Sequence, residues 1–232
     1  MTSGDSGGDD AADSEWSSLH GGVRPSPVVR GWLRMVRILA SGPVLRIPPD
    51  VLSLAGVAAL AGAWVVVVFA GDHGGPAVAV LLIVAAGVLD GLDGAVALRT
   101  GRARPLGAVV DSVADRIGDV VLGGVLLALG AALGWVLATV ALVLLLEYVR
   151  ARAQAVGMPG VGAVTVAERP TRLIVVAVAA GGVAVSPAGV PVLGWGWADT
   201  LAVTWTVVGV VGMGQLLRGV RKSMPPSFPQ DR

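Results

Sequence analysis

The sequence predicts an all-α, polytopic membrane protein with six transmembrane helices and an N-terminal amphipathic helix in the membrane interface. Three observations carry this. Of the 232 residues, 54% are hydrophobic and only 14% charged, where a soluble domain carries about a quarter charged residues. Mean hydropathy is +0.78. The apolar residues fall in runs such as Val51 to Ala70 and Val120 to Leu133, lengths that call for a bilayer as solvent. Lys and Arg gather on one side of these runs.

Taken in order, residues 1–25 are acidic and rich in Ser and Gly. They lack a basic segment followed by an apolar one, so they read as a disordered cytoplasmic tail and not as a secretory signal. In residues 26–46, Arg30, Arg34 and Arg37 recur at helical spacing among Trp, Leu, Val and Ile. That pattern suits a juxtamembrane amphipathic helix; the alternative is a basic linker. A six-span domain over 47–220 follows, with spans at 51–70, 77–98, 106–130, 134–156, 171–188 and 197–217. Each has about 18 to 25 residues, enough for a hydrocarbon core of roughly 30 Å. Asp50 is placed as the N-cap of the first span, with Pro49 barring backward extension. Residues 221–232 read as a second disordered cytoplasmic tail. The 34 Gly residues and few aromatics predict helices packed closely through small residues. With no Cys and only His20 and His73, a disulfide framework, thiolate chemistry and a zinc site are not expected. No nucleic-acid partner is expected either.

Topology follows from charge. With six spans, both termini share a side with the connections near 99–105 and 150–172. All seventeen Lys and Arg residues lie in or beside these segments, Arg116 being the deepest, and the opposite connections carry none. The positive-inside rule puts that face, and both termini, in the cytoplasm. A multi-pass protein of the cell membrane is expected.

Against this apolar background, Asp90 and Asp93 end the second span, and Asp111, Asp115 and Asp119 lie in the third. Each intramembrane carboxylate costs about 2.5–3.5 kcal/mol on insertion scales. Asp90, Asp93, Gly94 and Ala97 share one helical face, as do Gly107, Asp111 and Asp115. The short connection predicts that the two helices are antiparallel neighbours, so four carboxylates converge. A hard divalent cation, Mg²⁺ or Mn²⁺, resolves their repulsion. Metal ions held by acids beside a basic rim suit phosphate chemistry. Helix capping or pairing with Arg accounts for one or two of the acids, most easily Asp119 with Arg116. It does not account for four on two facing stripes.

The run Asp90-Gly-Leu-Asp93-Gly94-Ala-Val-Ala97-Leu98, eight residues, then Gly107-x3-Asp111-x3-Asp115 resembles the signature of the CDP-alcohol phosphatidyltransferase family. That signature reads D-x2-D-G-x2-A-R-x8-G-x3-D-x3-D. The resemblance covers residues from about 45 to 220, and Pro49-Asp50-Val51-Leu52-Ser53 is similar to the Pro-Asn-x-Leu-Thr/Ser opening of the first span. It implies a homodimeric membrane transferase. Asp90, Asp93, Asp111 and Asp115 would be metal ligands, and Asp115 also the general base for the acceptor hydroxyl. Gly94, Ala97 and Gly107 would line the cytidine diphosphate pocket. The donor would be CDP-diacylglycerol, and CMP would leave. Leu98 stands where the signature has Arg, and Arg99 points about 100° away.

Glu147-Tyr148-Val149-Arg150-Ala151-Arg152-Ala153 and Glu168-Arg169-Pro170-Thr171-Arg172 look like segments of the actinobacterial phosphatidylinositol-phosphate synthases. Glu147 replaces the usual Ser and Arg150 the usual Lys. The resemblance implies that Arg150 and Arg169, helped by Arg152 and Arg172, hold the phosphate of inositol phosphate. Glycerol 3-phosphate or another polar alcohol is the alternative acceptor. From other classes, a cation transporter and an inactive partner subunit stay open.

Overall fold

The computed structural model describes residues 31, 34–36, 38–70, 74–158, 165–191 and 193–223. The tail at 1–25, most of the juxtamembrane segment up to residue 33, and residues 224–232 lie outside the described residues. Helical backbone at 34–36 and 38–39 gives way to a 3₁₀ turn, η1 (Gly42–Arg46). Val36 and Ala40 are buried with Leu52, Leu92 and Val96, so this segment is pinned onto the helices that follow.

Six long helices occupy the six apolar segments: α1 (Pro49–Phe69), α2 (Gly74–Arg99), α3 (Pro105–Ala128), α4 (Leu133–Ala155), α5 (Arg169–Val185) and α6 (Trp197–Ser223). No strand occurs among the described residues. The last helix runs past the boundary set at residue 220. Four helices, α1, α2, α4 and α6, are long and apolar enough to cross a membrane by length and composition. Of the other two, α3 carries the acids and α5 has 17 residues.

Local chemistry sets the ends. α1, α3 and α5 each begin with a proline in the first two positions, where its fixed φ suits a helix and its missing N–H is no loss. Asp50 is not the N-cap. Pro48 holds that place and Asp50 lies inside the first turn, leaving its carboxylate for a side-chain partner. α2 stops at Gly101, whose φ of +64° suits glycine. There the Gly101 N–H donates to Leu98 O at 3.3 Å and the Arg102 N–H to Ala97 O at 2.9 Å, the paired bonds of a Schellman ending.

α1 packs along both α2 and α3; α2 also packs on α5, and α4 and α5 both pack on α6. α2 and α3 face each other through their acids but hardly touch. α1 bridges them, leaving a cleft between. Leu60, Ile83, Leu122, Leu126, Val143, Val176 and Trp205 meet in the core. Small residues allow close approach, as expected: a Cβ at Gly123 would lie 2.5 Å from Val140 Cγ2. With lipid outside, such van der Waals packing is the attractive term between helices. Phe69, Leu81 and Val185 are more than two-thirds exposed, as lipid-facing side chains of a multi-pass membrane protein are.

Candidate active site

The cleft between α2 and α3 collects the acids. Asp90, Asp93 and Asp111 each bring one carboxylate oxygen to within 4.8 Å of the others. Ligands of Mg²⁺ at 2.0–2.1 Å stand about 3 Å apart when adjacent and about 4 Å apart when opposite. Small side-chain rotations close that difference. The donor set is all hard oxygen, so these residues fit Mg²⁺ or Mn²⁺. Asp93 is buried and held on both sides: Ser53 Oγ donates to its Oδ2 at 2.5 Å, and the Gly94 N–H donates to its Oδ1 at 2.6 Å. Ser53, from α1, is a site residue that sequence reasoning left unassigned. Its position three residues after Asp50 was the available signal.

Asp115 lies beside this trio without joining it. Its Oδ1 pairs with Arg169 Nη1, and its Oδ2 faces Arg116 Nη2 at 3.4 Å. Arg169 Nε also meets Asp90 Oδ1 at 2.9 Å. The first residue of α5 therefore clamps one carboxylate from α2 and one from α3. Ser53, Gly56, Asp90, Asp111, Ala114, Asp115 and Arg169 line one small cavity.

Among the residues expected at the nucleotide, Gly94 faces open space, with nothing within 4 Å of a built Cβ. Ala97 is half-buried one turn on. Gly107 faces Arg104 and Asp50. Leu98 is 65% exposed, and Arg99 turns to donate to Ala40 O.

A second group of charges lies among α3, α4 and α5. Arg172, buried, donates to Asp119 Oδ2 at 2.8 Å, Glu147 Oε1 at 2.5 Å and Ala167 O at 3.0 Å. Arg116 reaches Asp119 at 3.1 Å and Glu147 at 3.3 Å. Arg150 pairs with Glu168 at 2.9 Å and Glu147 at 3.5 Å. Thus Arg150 and Arg172, both expected at an acceptor phosphate, already hold carboxylates, while Arg152 is exposed on the last turn of α4. The Arg116–Asp119 pair was legible as an i, i+3 spacing. Its extension to Glu147 and Arg172 was not.

Comparison with known proteins finds similar chains and similar structures. The profile of the CDP-alcohol phosphatidyltransferase family matches residues 46–211. The phosphatidylinositol phosphate synthase of Mycolicibacterium smegmatis (strain ATCC 700084 / mc(2)155) is 37% identical over 142 residues, 57% of this chain and 61% of that relative's length. The crystal structure of Mycobacterium tuberculosis phosphatidylinositol phosphate synthase with CDP-DAG bound superposes with a TM-score of 0.59 at 27% identity, covering 86% of this chain and 98% of that one. The same synthase in complex with manganese and citrate gives 0.57 at 27% identity, covering 89% and 92%.

Proposed function

Because this chain belongs to the CDP-alcohol phosphatidyltransferase family, we propose that it transfers a phosphatidyl group from CDP-diacylglycerol to the hydroxyl of inositol phosphate, releasing CMP, in phospholipid biosynthesis. The observation that carries this reading is the convergence of Asp90, Asp93 and Asp111 on one point, with Asp115 alongside. In the same reading the chain is a homodimer of the cell membrane with both termini cytoplasmic. The one-sided Lys and Arg distribution supports that orientation.

Asp90, Asp93 and Asp111 would hold Mg²⁺ or Mn²⁺, with Asp115 at the edge of the same centre. A divalent cation there supplies charge neutralisation at the diphosphate. Ser53 keeps Asp93 in its rotamer. Asp115 takes the proton of the acceptor hydroxyl as its oxygen bonds to phosphorus. The bond from that phosphorus to the CMP oxygen breaks, and CMP departs with the electron pair. Arg169 orients Asp115 and Asp90 together. Gly94, with open space over its Cα, lets the donor approach the backbone.

For the acceptor phosphate, Arg150 and Arg169 are the contacts, with Arg152 at the rim. An incoming phosphate exchanges with the carboxylate partners of Arg150 and adds to Arg169, which keeps Asp90 and Asp115. Arg172 is buried behind Glu147, so its part is to hold Glu147. One observation favours a second reading. Glu147 contacts Arg116, Arg150 and Arg172 and so offsets the positive charge an anionic acceptor needs. An unphosphorylated polyol is the acceptor that this arrangement suits.

The test is CMP release by the purified chain from CDP-diacylglycerol with Mg²⁺ or Mn²⁺, with inositol phosphate, glycerol 3-phosphate and free inositol in competition. Preference for inositol phosphate is expected, and a preference for free inositol selects the second reading. No CMP with any acceptor removes the transferase reading, and ion flux in its place makes the chain a transporter.

A further inference from the structure

The connection between α2 and α3 holds a pair that neither the carboxylate centre nor the buried ion network uses. Arg104 ends this connection and turns across to α1, where its Nη2 meets Asp50 Oδ2 at 2.5 Å. The side chain passes over Gly107, where a Cβ would lie 3.4 Å from Arg104 Cγ and 3.6 Å from Asp50 Oδ1. Arg104 keeps 55% of its side chain exposed. Together with Pro48, Pro49 and Arg102, these two residues line a cleft of about 420 Å³, within the usual range for small-molecule sites.

The place of this pair is what gives it meaning. Asp50 precedes Ser53 by three residues on α1, and Gly107 precedes Asp111 by four on α3. Each interval is about one helical turn, or roughly 4.5–6 Å along the axis. Ser53 and Asp111 both belong to the carboxylate centre. The Asp50–Arg104–Gly107 group is therefore the next rung of the same ladder, toward the α2–α3 connection. A donor that places one phosphate at the carboxylate centre carries its second phosphate and nucleoside past a neighbouring rung. A dianionic diphosphate needs a cation there. Leu98, exposed on α2, supplies none, and Arg99 is turned toward Ala40. Asp50 engages Nη2 of Arg104, and a guanidinium has five N–H donors.

We propose that Arg104 positions the nucleotide diphosphate of the donor, making from the connection the phosphate contact that Leu98 cannot make from α2. The proposal rests on the transferase reading above. Asp50 fixes the guanidinium over Gly107, so the remaining N–H groups are aimed before the donor arrives.

The test uses the full chain with CDP and Mg²⁺ in a calorimeter, and CDP-diacylglycerol turnover beside it. Arg104→Ala raises the Kd for CDP and the KM for CDP-diacylglycerol about tenfold, with the acceptor KM unchanged. Adding Leu98→Arg to that variant restores donor affinity, which a merely structural role for Arg104 would not allow. If Arg104→Ala does not fold, Arg104→Lys carries the test, because it keeps the charge and loses the fork. Its donor affinity must fall while its acceptor KM holds. An alanine or lysine variant that binds CDP as the native chain does overturns the role of Arg104 and leaves the transferase reading standing. A native chain that neither binds CDP nor releases CMP overturns both.

Discussion

Two charged regions lie side by side in this bundle, and they are built on opposite plans. In the α2–α3 cleft, four carboxylates (Asp90, Asp93, Asp111 and Asp115) meet the guanidinium of Arg169, with Arg116 at the edge beside Asp115. Between α3, α4 and α5, three carboxylates (Asp119, Glu147 and Glu168) meet three guanidiniums (Arg116, Arg150 and Arg172). The first is acidic in surplus and lines a cavity. The second is balanced and largely closed. Balanced buried charge holds geometry, while surplus charge of one sign invites a counterion from outside. Arg116 joins the two regions, touching Asp115 on one side and Asp119 and Glu147 on the other.

The contrast can be broken from either side. Chelation should abolish CMP release completely, with recovery on adding Mg²⁺ or Mn²⁺. Activity that survives chelation would mean the acidic surplus serves no cation. Asp115→Asn should lower kcat about 10³-fold with an unchanged unfolding temperature in detergent. A rate near that of the native chain would remove Asp115 as the base. In the balanced region the damage should fall on stability instead. Arg172→Met leaves Asp119 and Glu147 without their buried partner and should cost about 3–5 kcal/mol, read as a lowered denaturation midpoint. If stability is unaffected and donor KM rises instead, the division drawn between the regions is wrong. The smallest effect sharpens the comparison: Glu147→Ser removes one of the two carboxylates that Arg150 meets, leaving Glu168, and should lower the KM for inositol phosphate about fivefold. An unchanged KM would place the acceptor phosphate away from Arg150.

Much of this was legible from the chain. Helices occupy all six apolar segments, with ends close to those expected except the C-terminal end of α6, which runs on to Ser223, because apolar run length, proline starts and glycine stops act locally. The acid stripe on each helix followed from spacing, since side chains three and four residues apart share a face whatever surrounds the helix. Asp50 was misread because a capping residue was sought next to a proline, and its partner Arg104 lies 54 residues away.

The sequence by itself therefore determined the helices, their charged faces and the carboxylate set suited to a divalent cation, because each depends on intervals within one helix. Only tertiary structure decided that α1, and not a direct α2–α3 contact, holds the cleft open. It also decided that Ser53 braces Asp93, that Arg169 clamps Asp90 to Asp115, and that Glu147 gathers three arginines. These partners come from different helices, and which faces meet is set by the packing of the whole bundle, which no local spacing encodes.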